Sequence, residues 1–83
     1  MSDQTHIIMK SGFVHTIVID REVLVLHYIP EDPGCYKVVA LNIPGVSFIL
    51  KHHEQSWLIA SEVNDHIKTA EAQIVEELML RLN

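Results

Sequence analysis

The sequence predicts an α+β fold, an antiparallel β-meander of about five strands followed by one C-terminal α-helix packed on one face. Short runs rich in Ile, Val and Leu are separated by turn residues at similar intervals, which is typical of strands joined by hairpins. The apolar period changes only once, from that of a strand to that of a helix. No segment between the runs is long enough for the crossover that parallel strands require.

A chain of 83 residues forms one domain with a thin core, because it is too short to enclose a second one. We therefore predict a single domain over 1–83. We expect 1–5 to be a flexible N-terminus, 6–61 to be the meander and 62–82 to be the helix. His6 to Lys10 is a candidate first strand before a turn at Ser11-Gly12, and a helical arm is the alternative there.

The clearest hairpin joins Phe13 to Ile19 with Glu22 to Ile29, since both runs are rich in β-branched residues. Asp20-Arg21 can close it as a two-residue turn. The register that follows pairs Ile17 with Leu24 and Val18 with Val23.

Prolines and glycines divide the rest of the meander. Pro30 to Gly34 is predicted to be a connection because two prolines interrupt ladder hydrogen bonding, and Pro33-Gly34 and Pro44-Gly45 suit type II turns. The remaining predicted strands are Cys35 to Asn42, Val46 to His52 and Trp57 to Ala60, with His53 to Ser56 as a polar turn.

The helix is predicted from apolar residues at intervals of three and four, which fall on one side of a helix. They are Val63, Ile67, Ala70, Ile74, Leu78 and Leu82. Thr69 is an alternative N-cap, so a break near His66 to Lys68 is an open alternative. Glu77 and Arg81 stand four apart in the favourable order for an ion pair.

Charge and cysteine content restrict the class of protein. The net charge of -5 opposes binding to nucleic acid phosphates or anionic lipid, so we expect neither partner. The single cysteine, Cys35, cannot form an internal disulfide, and the first residues lack the pattern of a signal peptide. We therefore predict a cytoplasmic protein.

The six histidines do not have the spacing of a metal site. His52 and His53 are adjacent and point to opposite faces of a regular strand, and His15 and His27 fall on opposite faces in the predicted hairpin. We expect no metal and no cofactor.

No local pattern predicts catalysis, and we expect no catalytic residues. An enzyme would use Cys35 with a histidine, or His52 with a nearby carboxylate. The other alternative is a binder of small apolar ligands. Its cavity would lie between sheet and helix and would be lined by Phe13, Tyr28, Phe48 and Trp57. For Trp57 we favour a place in the core between sheet and helix.

Surplus apolar residues predict a protein-interaction or structural module that acts as a homodimer or binds a protein partner. The runs Ile17-Val18-Ile19 and Val23-Leu24-Val25-Leu26 are apolar on both faces of their strands, and one helix can cover only one face. Val75, Met79 and Leu80 also widen the helix stripe beyond that task. The candidate interface residues are Val75, Met79, Leu80, Val23 and Val25.

Overall fold

The computed structural model describes residues 12–82, and it confirms the predicted fold class. Five antiparallel strands form one curled sheet in the order β1-β2-β3-β4-β5. The strands are β1 (Phe13–Ile19), β2 (Glu22–Asp32), β3 (Cys35–Ala40), β4 (Ser47–His53) and β5 (Ser56–Ile59), and the helices are α1 (Asp65–Thr69) and α2 (Glu71–Leu82). The predicted strand at His6 to Lys10 lies outside the described residues.

Within the described residues 12–82, the inner face of the sheet carries both helices and the outer face carries no helix. Alternate residues of each strand point inward and form the core together with one side of the helices. The buried residues are Ile17, Ile19, Leu24, Leu26, Tyr28, Tyr36, Val38, Ala40, Phe48, Leu50, Ile59, Ile67, Ala70, Ile74 and Leu78. No buried charged residue occurs among those described, so the core is held by apolar packing.

The turn between β1 and β2 has the predicted length and confirms the predicted register. Asp20 and Arg21 both have positive φ, 48° and 70°, as a two-residue turn of type I′ requires. Ile17 pairs with Leu24 and Val18 with Val23. The twist of this turn matches that of the strands, so Ile19 and Glu22 pair directly beside it. That first pair determines which residues of both strands point to each face of the sheet.

Strand β2 is longer than predicted, since it continues through Pro30 to Asp32 instead of ending at Ile29. The prediction that Pro30 interrupts the ladder was wrong. The backbone N–H and C=O groups of Val25 point toward β3, where the carbonyl oxygen accepts from the Leu41 amide. Backbone groups alternate in direction along a strand, so those of even-numbered β2 residues point toward β1. The missing N–H of Pro30 therefore removes no bond to β3, although the register shifts between Pro30 and Asp32.

Strand β3 ends at Ala40, two residues before the predicted end, yet its contact with β2 continues through a side chain. Asn42 accepts from the Val25 amide through Oδ1 at 3.0 Å and donates from Nδ2 to the Val23 carbonyl at 2.8 Å. The amide side chain thus imitates one more strand residue. The predicted turns at Gly34 and Gly45 have the positive φ that type II geometry needs, 80° and 82°.

The C-terminal segment consists of two helices separated at Ala70. Asn64 is the N-cap of α1, because its side chain accepts from the Ile67 amide at 2.9 Å. Thr69 is not an N-cap, since its hydroxyl donates backward to the His66 carbonyl. The apolar pattern begins at Val63, one residue before this cap, so the pattern alone does not identify Asn64 as the start of a helix.

The helices pack on the inner face through the predicted stripe, of which Ile74 and Leu78 are fully buried. A buried hydrogen bond fixes their position, because the Tyr28 hydroxyl donates to the Ile74 carbonyl at 2.9 Å. Burial, and to a lesser extent the Glu77 carboxylate, raises the pKa of this hydroxyl above its ordinary value. It therefore stays protonated and keeps its role as donor at neutral pH.

The two edges of the sheet are β1 and β5, and β5 is protected by the helix. Glu71 is the first residue of α2, and its carboxylate accepts from the Ile59 amide at 2.7 Å. This bond lowers the pKa of Glu71, partial burial opposes the effect, and the nearby Lys68 ammonium adds to it. The carboxylate thus accepts a hydrogen bond from a backbone N–H that points away from β4, at the edge of the sheet.

Replacing Tyr28 by Phe should lower the free energy of unfolding by about 1 kcal/mol, because a buried hydrogen bond between sheet and helix is lost. Urea unfolding at neutral pH measures this change. Tyr36→Phe is the matched control, since Tyr36 is also buried but its hydroxyl forms none of the hydrogen bonds of residues 12–82. Equal losses in the two variants would contradict a specific role for the Tyr28 bond.

Glu71 should make stability depend on pH on the acid side. Its folded-state pKa is lowered, so its contribution is fully present above the unfolded pKa of about 4.3 and is lost as pH falls through the folded value. In Glu71→Gln, stability should fall less steeply below about pH 5 than in the unmodified protein. Thermal unfolding from pH 7 to 3 tests this, with Glu76→Gln as the control at an exposed carboxylate of the same helix. Identical pH profiles for Glu71→Gln and the unmodified chain would contradict the assignment.

Candidate functional site

The outer face of the sheet is unusually apolar for a surface. Val14, Val18 and Val23 are 47%, 58% and 48% exposed, although a solvated sheet face normally alternates to polar residues. Val18 lies beside Val23, its partner on β2, while Val14 lies on the same face beyond Thr16 and pairs with His27. With the half-buried Val25 they form what we call the valine patch, namely Val14, Val18, Val23 and Val25.

Charge divides the outer face into two parts. Lys37 on β3 and Lys51 on β4 point outward and are exposed, so the half of the face toward β4 is positively charged. Thr16 is the polar residue of β1 on this face. The valine patch therefore lies on the uncharged half, beside the β1 edge, where a protein surface can approach without burying a lysine.

The predicted interface residues do not form one surface. Val23 and Val25 belong to the valine patch on the outer face, whereas the other three lie on α2, which packs on the inner face. Met79 and Leu80 are exposed, 46% and 66%, but Val75 is partly buried against the core. Val75 thus already has a packing role within the chain, and the two predicted groups would need different contacts.

Cys35 and His52 are the residues on which an enzymatic reading would depend, and the structure places them on opposite faces. Cys35 is half-buried in the outer face and pairs with Lys51, while His52 lies in the inner-face alternation and packs against the Trp57 ring at 5.2 Å. Within residues 12–82, neither forms a hydrogen bond to an acid or base, and no group of three or more His, Cys, Asp or Glu is arranged to hold a metal ion.

A different histidine, His15, lies in a polar cluster between β1 and α2. Its Nε2 is 3.5 Å from Glu77 Oε1, while Arg81 Nε donates to Glu77 Oε2 at 2.8 Å, which confirms the predicted ion pair. The guanidinium also stacks over the Phe13 ring at 4.6 Å, and Phe13 stacks on Tyr28. Sequence reasoning could not find the contact between His15 and Glu77, because it depends on how the helix crosses the sheet.

The buried Nδ1 of His15 has no hydrogen-bond partner in the described structure. When Nε2 carries the proton and faces the Glu77 carboxylate, Nδ1 is an acceptor. The cluster lies under the edge strand and holds β1 against α2, so its role is one of positioning.

A groove of about 400 Å³ lies at the other end of the inner face, between the β1–β2 turn, the β3–β4 loop and α1. Its apolar lining comes from Leu24, Ile43, Val46 and Ile67, and its polar lining from Glu22, Asn64 and His66. His66 Nε2 is 3.6 Å from Asp20 Oδ2 and 3.8 Å from Glu22 Oε1. Carboxylates therefore stand at the rim of an apolar depression. The sequence places these residues far apart and carries no signal of the groove.

The aromatic cavity considered from sequence is not formed by the four residues named for it. Tyr28 and Phe48 are fully packed in the core, and Phe13 stacks on Tyr28 with ring centroids 4.3 Å apart. Trp57 lies at one end between sheet and helix, as expected, and its ring forms an edge-to-face contact with the Tyr36 ring at 5.8 Å between centroids. The small cavity beside it, about 170 Å³, is lined by His52, Gln55, Trp57, Met79 and Leu82.

Neither helix in residues 12–82 has the length and apolar character needed to cross a membrane. No protein-family model, curated protein or solved structure matches this chain. The candidate site is therefore defined by the chain's own geometry.

Proposed function

We propose that this chain is a small, non-enzymatic interaction module that acts in the cytoplasm as a homodimer, with the valine patch at the contact. The observation that carries the proposal is the exposure of Val14, Val18 and Val23 on the uncharged half of the outer face. A second copy presents the same patch, and twofold association brings identical apolar surfaces into contact. The net charge of -5 on each copy favours contact at an uncharged region.

The thin core supports the same proposal. A chain of this size buries a smaller fraction of its surface than larger domains, so covering additional apolar side chains adds stability as well as specificity. Within residues 12–82, Cys35 and His52 form no hydrogen bond to an acid or base, which supports the non-enzymatic part of the proposal. A free thiol is compatible with the reducing cytoplasm.

Lysine in the valine patch should disrupt the dimer. For Val18→Lys and Val23→Lys we expect the dissociation constant to rise at least about tenfold, because each dimer gains two like charges at an apolar contact. Sedimentation equilibrium over a range of protein concentrations measures the constant, and circular dichroism checks the fold.

Two matched variants locate the contact. Ser47→Lys adds the same charge at an exposed outer-face residue of β4 and should leave the dimer intact. Leu80→Lys adds the charge on the exposed side of α2 and tests whether the predicted interface residues of the helix, Val75, Met79 and Leu80, form the contact. Loss of the dimer in Leu80→Lys alone would move the contact to the helix, and a monomeric unmodified protein at all concentrations would refute the homodimer.

A second candidate function is the binding of small apolar amines, and the groove at α1 favours it. Its volume of about 400 Å³ lies in the range of small-molecule sites, and the Asp20 and Glu22 carboxylates at the rim suit an ammonium group above the apolar floor.

Hexylamine and benzylamine should therefore shift the amide resonances of residues around Leu24 and Ile67 at millimolar concentration. Val46→Phe should abolish these shifts by filling the groove, while Leu80→Phe, on the exposed side of α2, should not. Shifts spread evenly over the chain, or retained in Val46→Phe, would exclude this site.

A further inference from the structure

The two edges of the sheet are not equivalent. Strand β5 has four residues, and Glu71 occupies the amide of Ile59 at its free side. Strand β1 has seven residues, all but His15 apolar or β-branched, and contains neither proline nor Asp, Glu, Lys or Arg. Proteins usually interrupt long edge strands with such residues to prevent pairing, so the composition of β1 leaves its edge open to another strand.

The turn at Asp20-Arg21 determines which backbone groups of β1 face outward. In a two-residue hairpin the residues next to the turn, here Ile19 and Glu22, exchange both backbone hydrogen bonds. The register continues without a shift to Phe13 and Tyr28, so odd-numbered residues of β1 face β2. The N–H and C=O groups of Val14, Thr16 and Val18 therefore point away from the sheet.

We propose that a second copy of this chain pairs with β1 in antiparallel orientation, with the twofold axis at Thr16, so that the two sheets become one sheet of ten strands. The proposal rests on the homodimer proposed above and specifies its contact as strand pairing. Centring at Thr16 aligns Val14 with Val18 of the second copy and overlaps all seven residues of both strands. The three outward residues of each copy then share six hydrogen bonds, two for each of the three pairs.

The side chains and charges fit this arrangement. Paired residues point to the same face, so Val14 and Val18 of opposite copies lie in contact and join the two valine patches across the joint. At each end the turn with Asp20 comes beside Phe13 of the other copy, over which Arg81 of that copy stacks. Asp20 is followed by Arg21, and Arg81 donates to Glu77 of its own copy, so the ends of the joint carry no excess of acidic groups that would oppose this orientation.

Proline at position 16 tests the contact. Thr16→Pro removes an N–H that forms no bond to β2, so it should keep the fold while raising the dimer dissociation constant at least about 30-fold, since both bonds at the axis are lost. His15→Pro is the matched control, because the His15 amide faces Leu26 and its loss should destabilise the monomer itself. Sedimentation equilibrium and urea unfolding distinguish the two effects.

Hydrogen exchange on the unmodified chain gives an independent readout. The amides of Val14, Thr16 and Val18 should exchange more slowly as protein concentration rises, whereas those of His15 and Ile17 should change little. Protection at all three that does not depend on concentration would overturn the proposal, because the edge would then be covered by the same chain.

The outcomes also separate this proposal from the one on which it rests. A dimer that persists in folded Thr16→Pro but is lost in Val23→Lys would reject strand pairing and keep the homodimer. A monomeric unmodified protein would reject both. Loss of the dimer in Thr16→Pro, together with concentration-dependent protection of the three amides, would support the pairing.

Discussion

The two-residue turn at Asp20-Arg21 fixes the phase of the β1–β2 hairpin, that is, which residues pair and which face of the sheet each side chain points to. The composition of both faces depends on that phase. A shift of one residue would exchange the faces of one strand and bring Val18 into the core in place of Ile17, or Val23 in place of Leu24. The same phase directs the backbone of Val25 toward β3, where Asn42 extends the pairing. It also directs the amides of alternate β1 residues away from β2, at the edge of the sheet formed by residues 12–82.

The helices complete one side of this sheet and one of its edges. Ile74 and Leu78 fill the curled inner face, and the Tyr28 hydroxyl attaches α2 to β2. At the start of α2, Glu71 occupies the edge of β5. Because one short pair of helices cannot reach the remaining surfaces, the outer face and the β1 edge are left for contacts beyond residues 12–82.

The two proposed binding surfaces use different physical properties. The valine patch and the β1 edge combine apolar contact with backbone hydrogen bonding, which suits a second polypeptide. The groove beside α1 is concave and has carboxylates at its rim, which suits a small cation with an apolar body. The surfaces share the β1–β2 hairpin, since Asp20 and Glu22 stand at the groove while Val18 and Val23 lie on the outer face.

Local chemistry in the sequence was sufficient to predict most of the meander. Alternating β-branched residues and positive-φ turn positions act between near neighbours, so the strands, the hairpin register and the turns at Gly34 and Gly45 could be deduced without tertiary contacts. The continuation of β2 through Pro30 could not, because it depends on which way that residue faces in the finished sheet.

The sequence by itself also determined that the apolar residues exceed what one helix can cover, and it identified Val23, Val25, Met79 and Leu80 among them. Only the tertiary structure decided that these residues lie on two separate surfaces, that His15 meets Glu77 and that His66 meets Asp20. Such contacts join residues far apart in the chain, and their geometry follows from how the helices cross the curled sheet. Periodicity gives the face of each element but not its angle or position against the next, so the groove and the protected edge could emerge only from the packed fold.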